Sequence, residues 1–485
     1  MKRIASLLTM ALLTMPACAS EPAEPTAETR SGVVQGVRDD GVTRFRGIPY
    51  AAPPVGDLRW RAPQEPAAWN GVRESSGSGP ACAQGPQRKD AAEDCLYLDV
   101  TAPADAEGKP VIVWLHGGGF SEGAGFDYDP KRMVAQGDVV VVTVEFRLGL
   151  YGFLGDNYGF LDQQAALRWV RDNIGEFGGD PGNVTLMGQS GGAIGACAQL
   201  TAPGARGLIH RAILQSGDCD AGLPKDFTPT GSAPFDFFRP VAETNALVRS
   251  TMTALGCADL DCLRGLPVAR FEKEYAKYGA ATYGVASLPK DPAVADHAKV
   301  PVLAGLTRNE QRLTSGIFAV AGWRMSAREY PGVIAKAFGA EAGAAIVREY
   351  PAARYGGDGA VAWGDVFTDS MACQTGTSLP GFDYEFADPD AQPLIDLPKD
   401  FDAGASHGSE LPMLFEVAGR KPITSDYYTD AQRDLAAKMI GYWTAFARSG
   451  DPGWPAGQTM GLAPGAIGPV DVEREHRCDF WRALR

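Results

Sequence analysis

Residues 183–195 read NVTLMGQSGGAIG. Val184, Leu186 and Met187 have the apolar character of a short buried strand. Gly188-Gln189-Ser190-Gly191-Gly192 then turns the chain, and the small residues 193–198 open a helix. A serine at such a strand-to-helix turn sits on strained backbone with its hydroxyl pushed out of the sheet. The flanking glycines admit neighbouring backbone where a Cβ would clash. The residue after the serine starts the helix, so its free N–H points at whatever charge forms there.

The five-residue pattern needs that context. With 59 glycines and 20 serines among 485 residues, about 0.3 chance matches to G-x-S-x-G are expected. A second match exists, Gly119-Phe120-Ser121-Glu122-Gly123. No strand runs into Ser121 at the right place, so Ser190 is the candidate nucleophile.

Working outward, residues 110–120 read PVIVWLHGGGF. The unbroken apolar run 111–115 suits a strand covered on both faces. It feeds His116-Gly117-Gly118-Gly119, where bare backbone N–H groups form a concave loop able to bind an oxyanion. Residues 139–144 (VVVVTV) predict the next buried strand. Residues 161–177 predict a helix, with Ala166, Leu167, Val170 and Ile174 on one face. Further strands are expected at 96–100, 209–214, 300–306 and 382–386, the last of these closing the central set. This alternation predicts an α/β fold, a mostly parallel twisted sheet with helices on both faces. Residues 32–45 read as an antiparallel strand pair at a sheet edge. The stretch 49–63 carries four prolines and reads as loop. Residues 218–290 are irregular and read, with 312–370, as cap or gorge wall within a single domain spanning 32–485. Residues 429–448 predict a long helix with capping-box spacing at Thr429/Gln432 and a stop at Gly450 and Pro452.

The formal charge of −14 argues against nucleic acid and anionic membrane surfaces as partners. The N-terminus reads as an export signal over 1–19: Lys2 and Arg3, an apolar run 4–13, and the small-residue site Ala17-Cys18-Ala19. Its removal moves the charge to −16, since it carries two basic and no acidic residues. Cys18 followed by a Pro/Glu/Ala/Thr-rich stretch also fits a lipoprotein start, although Met15-Pro16 matches that pattern poorly. The expectation is therefore an exported bacterial protein, periplasmic or secreted, with an outer-membrane lipoprotein anchored at Cys18 as the alternative. Residues 20–31 read as a flexible polar tether. No later segment approaches 18 continuous apolar residues, so no transmembrane span is expected. Export permits disulfides. Eight cysteines lie beyond the signal, and their spacing leaves the connectivity open.

A serine hydroxyl needs a base to take its proton and a carboxylate to orient that base. The chain has five histidines, His116, His210, His297, His407 and His476. His116 precedes the glycine run and His210 starts a strand. His297 lies in a polar stretch, and His476 in the charged C-terminal tail. His407 alone sits in a small-residue loop after a late strand. Glu310 follows the strand 300–306 at its carboxyl end, where α/β sites are built. The order Ser190, Glu310, His407 is that of the α/β-hydrolase fold.

Several blocks together resemble the type-B carboxylesterase family, the cholinesterase-like α/β hydrolases, and within it the bacterial para-nitrobenzyl-esterase-like branch. They are FRGIPYAAPPVGDLRW (45–60), EDCLYLDV (93–100), WLHGGGF (114–120), NYGFLDQQAALRWVRDNIGEFGGDPGNVTLMGQSGGA (157–193), GLTRNE (305–310), GASHGSELP (404–412) and CDFW (478–481). The resemblance covers about 32–485. It implies Ser190 as nucleophile, Glu310 as acid and His407 as base, with an oxyanion hole from the N–H groups of Gly118, Gly119 and Gly191. It implies disulfides Cys82–Cys95, Cys257–Cys262 and Cys373–Cys478, which leaves Cys197 and Cys219 free or paired with each other. Ser216 and Glu410 match positions that support the triad from behind. Three residues depart from the family pattern: Gln189 stands where Glu is usual, Gly191 where Ala is usual, and Gln311 where Gly is common. No tryptophan lies between Cys82 and Cys95, where cholinesterases place the aromatic that grips a quaternary ammonium. Choline esters are therefore not expected.

The function implied is hydrolysis of a small-molecule carboxylic ester through an acyl-enzyme on Ser190, with no cofactor and no metal. The competing readings are a catalytically inactive cholinesterase-like binding or adhesion protein, and a transacylase that uses the same three residues.

Overall fold

A computed structural model describes residues 24–86, 88–228, 231–373, 379–418 and 423–484. The export signal, Cys18 and residues 20–23 of the expected tether lie outside the described residues. Eleven strands form the central sheet. They are β1 (Val37–Asp39), β2 (Val42–Pro49), β3 (Tyr97–Pro103), β4 (Lys109–Leu115), β5 (Val140–Val144), β6 (Gly179–Gln189), β7 (Arg211–Gln215), β8 (Val302–Thr307), β9 (Phe382–Phe386), β10 (Thr459–Ala463) and β11 (Ala466–Pro469). Their spatial order is β11-β10-β9-β8-β7-β6-β4-β5-β3-β2-β1. The seven neighbours from β10 to β5 run parallel. The antiparallel pairs lie at the two ends. From β4 the chain crosses to β5 on one side and then returns to β6 on the other. That reversal opens a crevice above the carboxyl ends of β4 and β6, where open α/β sheets bind ligands.

The apolar runs divide between two faces by their period of two. Val111, Val113 and Leu115 pack with Val140, Val142, Leu167 and Val170, whereas Ile112 and Trp114 pack with Met187, Leu435, Met439 and Trp443. Both faces of β4 are covered, which is why its sequence does not alternate. Helix α1 (Tyr158–Asn173) covers the first face, and α2 (Gly191–Thr201) leaves the turn after β6. Downstream lie α3 (Val241–Leu255), α4 (Arg312–Val320), α5 (Gly359–Ala372) and α6 (Asp430–Ser449). Helix α6 starts with the full capping box of Thr429 and Gln432 and ends at left-handed Gly450. Its Leu435, Met439, Trp443 and Phe446 are at most 1% exposed on the second face, each contributing about 2 kcal/mol of burial.

The structure corrects three expectations. Thr26–Thr29 is a strand paired with Gly32–Gln35, so the regular chain begins inside the expected tether. Its residues alternate, Thr26 and Glu28 exposed and Ala27 and Thr29 buried, and backbone pairing does not require a largely apolar composition. The strand 382–386 is not the last of the sheet, because β10 and β11 extend it beyond β9. Residues 218–290 are not irregular throughout: α3 spans fifteen of them, between Pro240 and left-handed Gly256. Of residues 32–45, the first four join the small outer sheet and the remainder form the β1–β2 edge of the central one.

Four disulfides join Cys82 to Cys95, Cys197 to Cys219, Cys257 to Cys262, and Cys373 to Cys478. Among the described residues, no helix is long and apolar enough to cross a membrane.

Candidate active site

Strands β4 and β6 are adjacent and in register, Leu115 opposite Gly188. The glycine run and Ser190 therefore leave the sheet side by side. Ser190 has φ 54° and ψ −126°, a conformation that costs a non-glycine residue about 1–3 kcal/mol. Neighbours hold it there: its N–H donates to Gln215 O at 2.8 Å, and its carbonyl accepts from Ile194 N at 3.0 Å. Gly188 cannot be larger, since a Cβ would lie 2.3 Å from Gly192 C.

The loop after β4 turns by positive φ at Gly118 (112°), Gly119 (58°) and Phe120 (58°). A Cβ on Gly118 would sit 1.9 Å from Glu122 O. Ser121 N and Glu122 N donate to Gly118 O at 2.9 and 3.1 Å. Among the described residues, no hydrogen bond takes up the N–H groups of Gly118, Gly119 or Gly191. The loop presses against the start of α2, so that a Cβ on Gly191 would lie 2.8 Å from Gly119 N. Glycine in place of the usual alanine at 191 gives that approach room. Ser121 belongs to the loop itself, its Oγ resting on Gly119 O at 3.3 Å.

Glu310 and His407 are brought together by two loops. Arg308 N donates to Phe386 O and Asn309 N to Ala405 O, while Ala405 N donates to Asn309 Oδ1. His407 N–H donates to Glu310 O at 3.2 Å. The imidazole Nδ1 bonds the Glu310 carboxylate through Oε1. The other oxygen of Glu310 accepts from Thr307 N (3.0 Å), Thr307 Oγ1 (2.6 Å) and Ser216 Oγ (3.1 Å). Burial would raise the Glu310 carboxyl, but the charge and hydrogen bond of His407 and the Thr307 donors outweigh it and hold it below its ordinary value. Burial would likewise lower His407. The Glu310 carboxylate outweighs that and, with a smaller contribution from Glu410, raises the imidazole above its ordinary 6.5. Glu410 accepts from Gln215 Nε2 at 3.1 Å and leaves its second oxygen without a hydrogen bond. Burial, then the charge of Glu310, pushes Glu410 up to about 7.

The remaining nitrogen of His407, Nε2, lies 3.1 Å from Gln189 Nε2. No local sequence pattern signals that contact, since 218 positions separate the two residues; Gln189 stands out in the sequence only as a departure from the family pattern. The other four histidines are engaged elsewhere. His116 stacks on Phe146, and burial pushes it down to about 4. His210 accepts from Val184 N. His297 touches Cys219 Sγ at 3.2 Å. His476 is held between Asp369 and Glu385. Cys197, Cys219 and His297 place their ligand atoms within 4.8 Å of one another. The two sulfurs are bonded to each other, which leaves the imidazole alone as a donor.

Comparison with known proteins agrees with this architecture. The model of the carboxylesterase family matches residues 23–321 and 365–460. The chain is 34% identical to phenmedipham hydrolase of Pseudarthrobacter oxydans over 88% of this chain and 90% of that protein. It is 38% identical to para-nitrobenzyl esterase of Bacillus subtilis (strain 168) over 58% of this chain and 62% of that one. A solved PNB esterase superposes with a TM-score of 0.71 at 29% identity, covering 94% of this chain and all of the other. With a strand reversal that sets a serine turn beside a glycine loop, and similarity extending over nearly the whole length of such relatives, this chain belongs to the carboxylesterase family.

Proposed function

We propose that this carboxylesterase hydrolyses small-molecule carboxylic esters through an acyl-enzyme on Ser190. His407 takes the proton from Ser190 Oγ as the oxygen attacks the ester carbonyl. Glu310 keeps the Nδ1 proton in place and stabilises the imidazolium that forms. The oxyanion of the tetrahedral intermediate is met by the N–H groups of Gly118, Gly119 and Gly191, each worth on the order of 10²–10³ in rate. The intermediate collapses as His407 gives its proton to the departing alcohol. Water, deprotonated by the same imidazole, then releases the acid and restores Ser190. The observation that carries this reading is the convergence at one crevice of a strained serine, three N–H groups without a hydrogen-bond partner among the described residues, and a histidine paired with a buried carboxylate. Ser216 and Glu410 stand behind the triad, Ser216 by donating to Glu310.

Only neutral His407 can act as base, and Glu310 raises its pKa. Turnover therefore falls as pH drops through a value above 6.5. Export to an oxidising compartment accords with the four disulfides. The test is hydrolysis of p-nitrophenyl esters from acetate to decanoate by wild type and Ser190→Ala. A loss of about three orders of magnitude or more in kcat is expected. Unimpaired turnover by the variant would refute the assignment.

A further inference from the structure

Gln189 is the last residue of β6 and is 2% exposed. Its amide is wedged between the two loops that build the crevice. A Cβ on Gly117 would lie 2.7 Å from Gln189 Oε1, and one on Gly408 would lie 3.4 Å from Gln189 Nε2. Both nitrogens of His407 are thereby engaged, Nδ1 with Glu310 and Nε2 with the Gln189 amide at 3.1 Å. No hydrogen bond among the described residues joins Ser190 Oγ to His407.

The chemistry of the two groups decides what this contact means. With the Nδ1 proton directed at the carboxylate, neutral His407 presents a lone pair at Nε2, and only a donor can approach it. The glutamine amide supplies N–H. Once Nε2 carries a proton it becomes a donor, and the same amide turned by half a rotation supplies Oε1 as acceptor. A carboxylate at 189 could pair only with the protonated ring, and an aliphatic side chain with neither form.

We propose that Gln189 is a positioning residue that holds the His407 imidazole by Nε2 in the substrate-free enzyme and yields that nitrogen to Ser190 when an ester occupies the crevice. The inference rests on Ser190 and His407 being the nucleophile and base. Gln189 touches the base and not the reacting carbon, so its effect falls on the free enzyme. Two acids already face His407, Glu310 at Nδ1 and Glu410 behind it. Gln189→Glu would add a third at Nε2 and favour the imidazolium.

The first readout is imidazole ¹⁵N NMR of wild type, Gln189→Met and Ser190→Ala, with the His407 signal assigned by its loss in His407→Gln. Gln189→Met is expected to move the His407 Nε2 resonance, and Ser190→Ala to leave it in place. The converse pattern would overturn the proposal. The second readout is the pH profile of kcat/KM. In Gln189→Glu its acidic limb is expected to rise by about one unit, whereas Gln189→Met does not raise it. A limb that stays put in Gln189→Glu, or that rises equally in both variants, would reduce Gln189 to a structural residue. The two readings fail separately: full turnover by Ser190→Ala sinks the nucleophile assignment, whereas the NMR comparison judges Gln189 alone.

Discussion

Two histidines among the described residues sit against buried carboxylates, and on the proposed mechanism only one does acid–base chemistry. His476 gives Nδ1 to Asp369 at 2.7 Å and Nε2 to Glu385. Arg477 Nη1 also reaches Asp369, and Arg308 Nη1 also reaches Glu385. Burial opposes its charge, but the hydrogen bonds and charges of the two acids push it up to about 9. It is therefore protonated at neutral pH, with both nitrogens donating and no lone pair free. His407 hydrogen-bonds one carboxylate, and its second nitrogen meets the neutral Gln189 amide. The partner of the second nitrogen, more than the presence of an acid, separates a structural imidazolium from a base.

Exchanging the two roles gives the largest expected contrast. His407→Gln should lower kcat about 10³–10⁴-fold with the fold intact, as loss of a triad base does. His476→Gln should leave turnover per folded molecule within about twofold, a change of well under 1 kcal/mol in the barrier. Comparable losses from both would erase the distinction. Stability should reverse the ranking. His476→Gln uncovers two buried acids and should cost about 3 kcal/mol in denaturant unfolding, while His407→Gln costs less.

The same network sets a pH window. A histidine raised on folding stabilises fully below its unfolded pKa, near 6.5, and that contribution disappears as pH rises through about 9. Glu385 is held below its ordinary value: burial opposes this, and the His476 hydrogen bond leads the effects that outweigh it. Its contribution is lost only in acid. Unfolding free energy should therefore decline between pH 6.5 and 9 in wild type, with a flatter profile in His476→Gln. Identical slopes would show that His476 is not the titrating group. The smallest effect should come from Ser216→Ala, which removes one of the donors to Glu310. About 1 kcal/mol of lost hydrogen bonding corresponds to a roughly fivefold drop in kcat.

What the sequence made legible follows the same division. The serine turn and the glycine run could be read because their backbone admits almost nothing else: Gly188 and Gly118 stand where a Cβ would collide with backbone. The central strands could be read because both faces are covered and their apolar runs are unbroken. Strands β10 and β11 are not legible, since TMGLA and AIGP are short, glycine-containing and without alternation. His476 reads as a tail residue because its neighbours Glu473, Arg474 and Glu475 are charged. Its burial comes from α5 and β9, more than ninety residues away in sequence. The Gln189–His407 contact likewise exists only once two loops close on each other, and no local pattern announces it.

The most direct test of the central assignment is covalent. Active enzyme would be treated with a fluorophosphonate and digested, and the modified peptide identified by mass spectrometry. One adduct on Ser190 is expected, forming in step with loss of esterase activity and absent from Ser190→Ala and strongly slowed in His407→Gln. Enzyme that hydrolyses esters but carries the adduct on another residue, or carries none at full inhibition, would contradict the account.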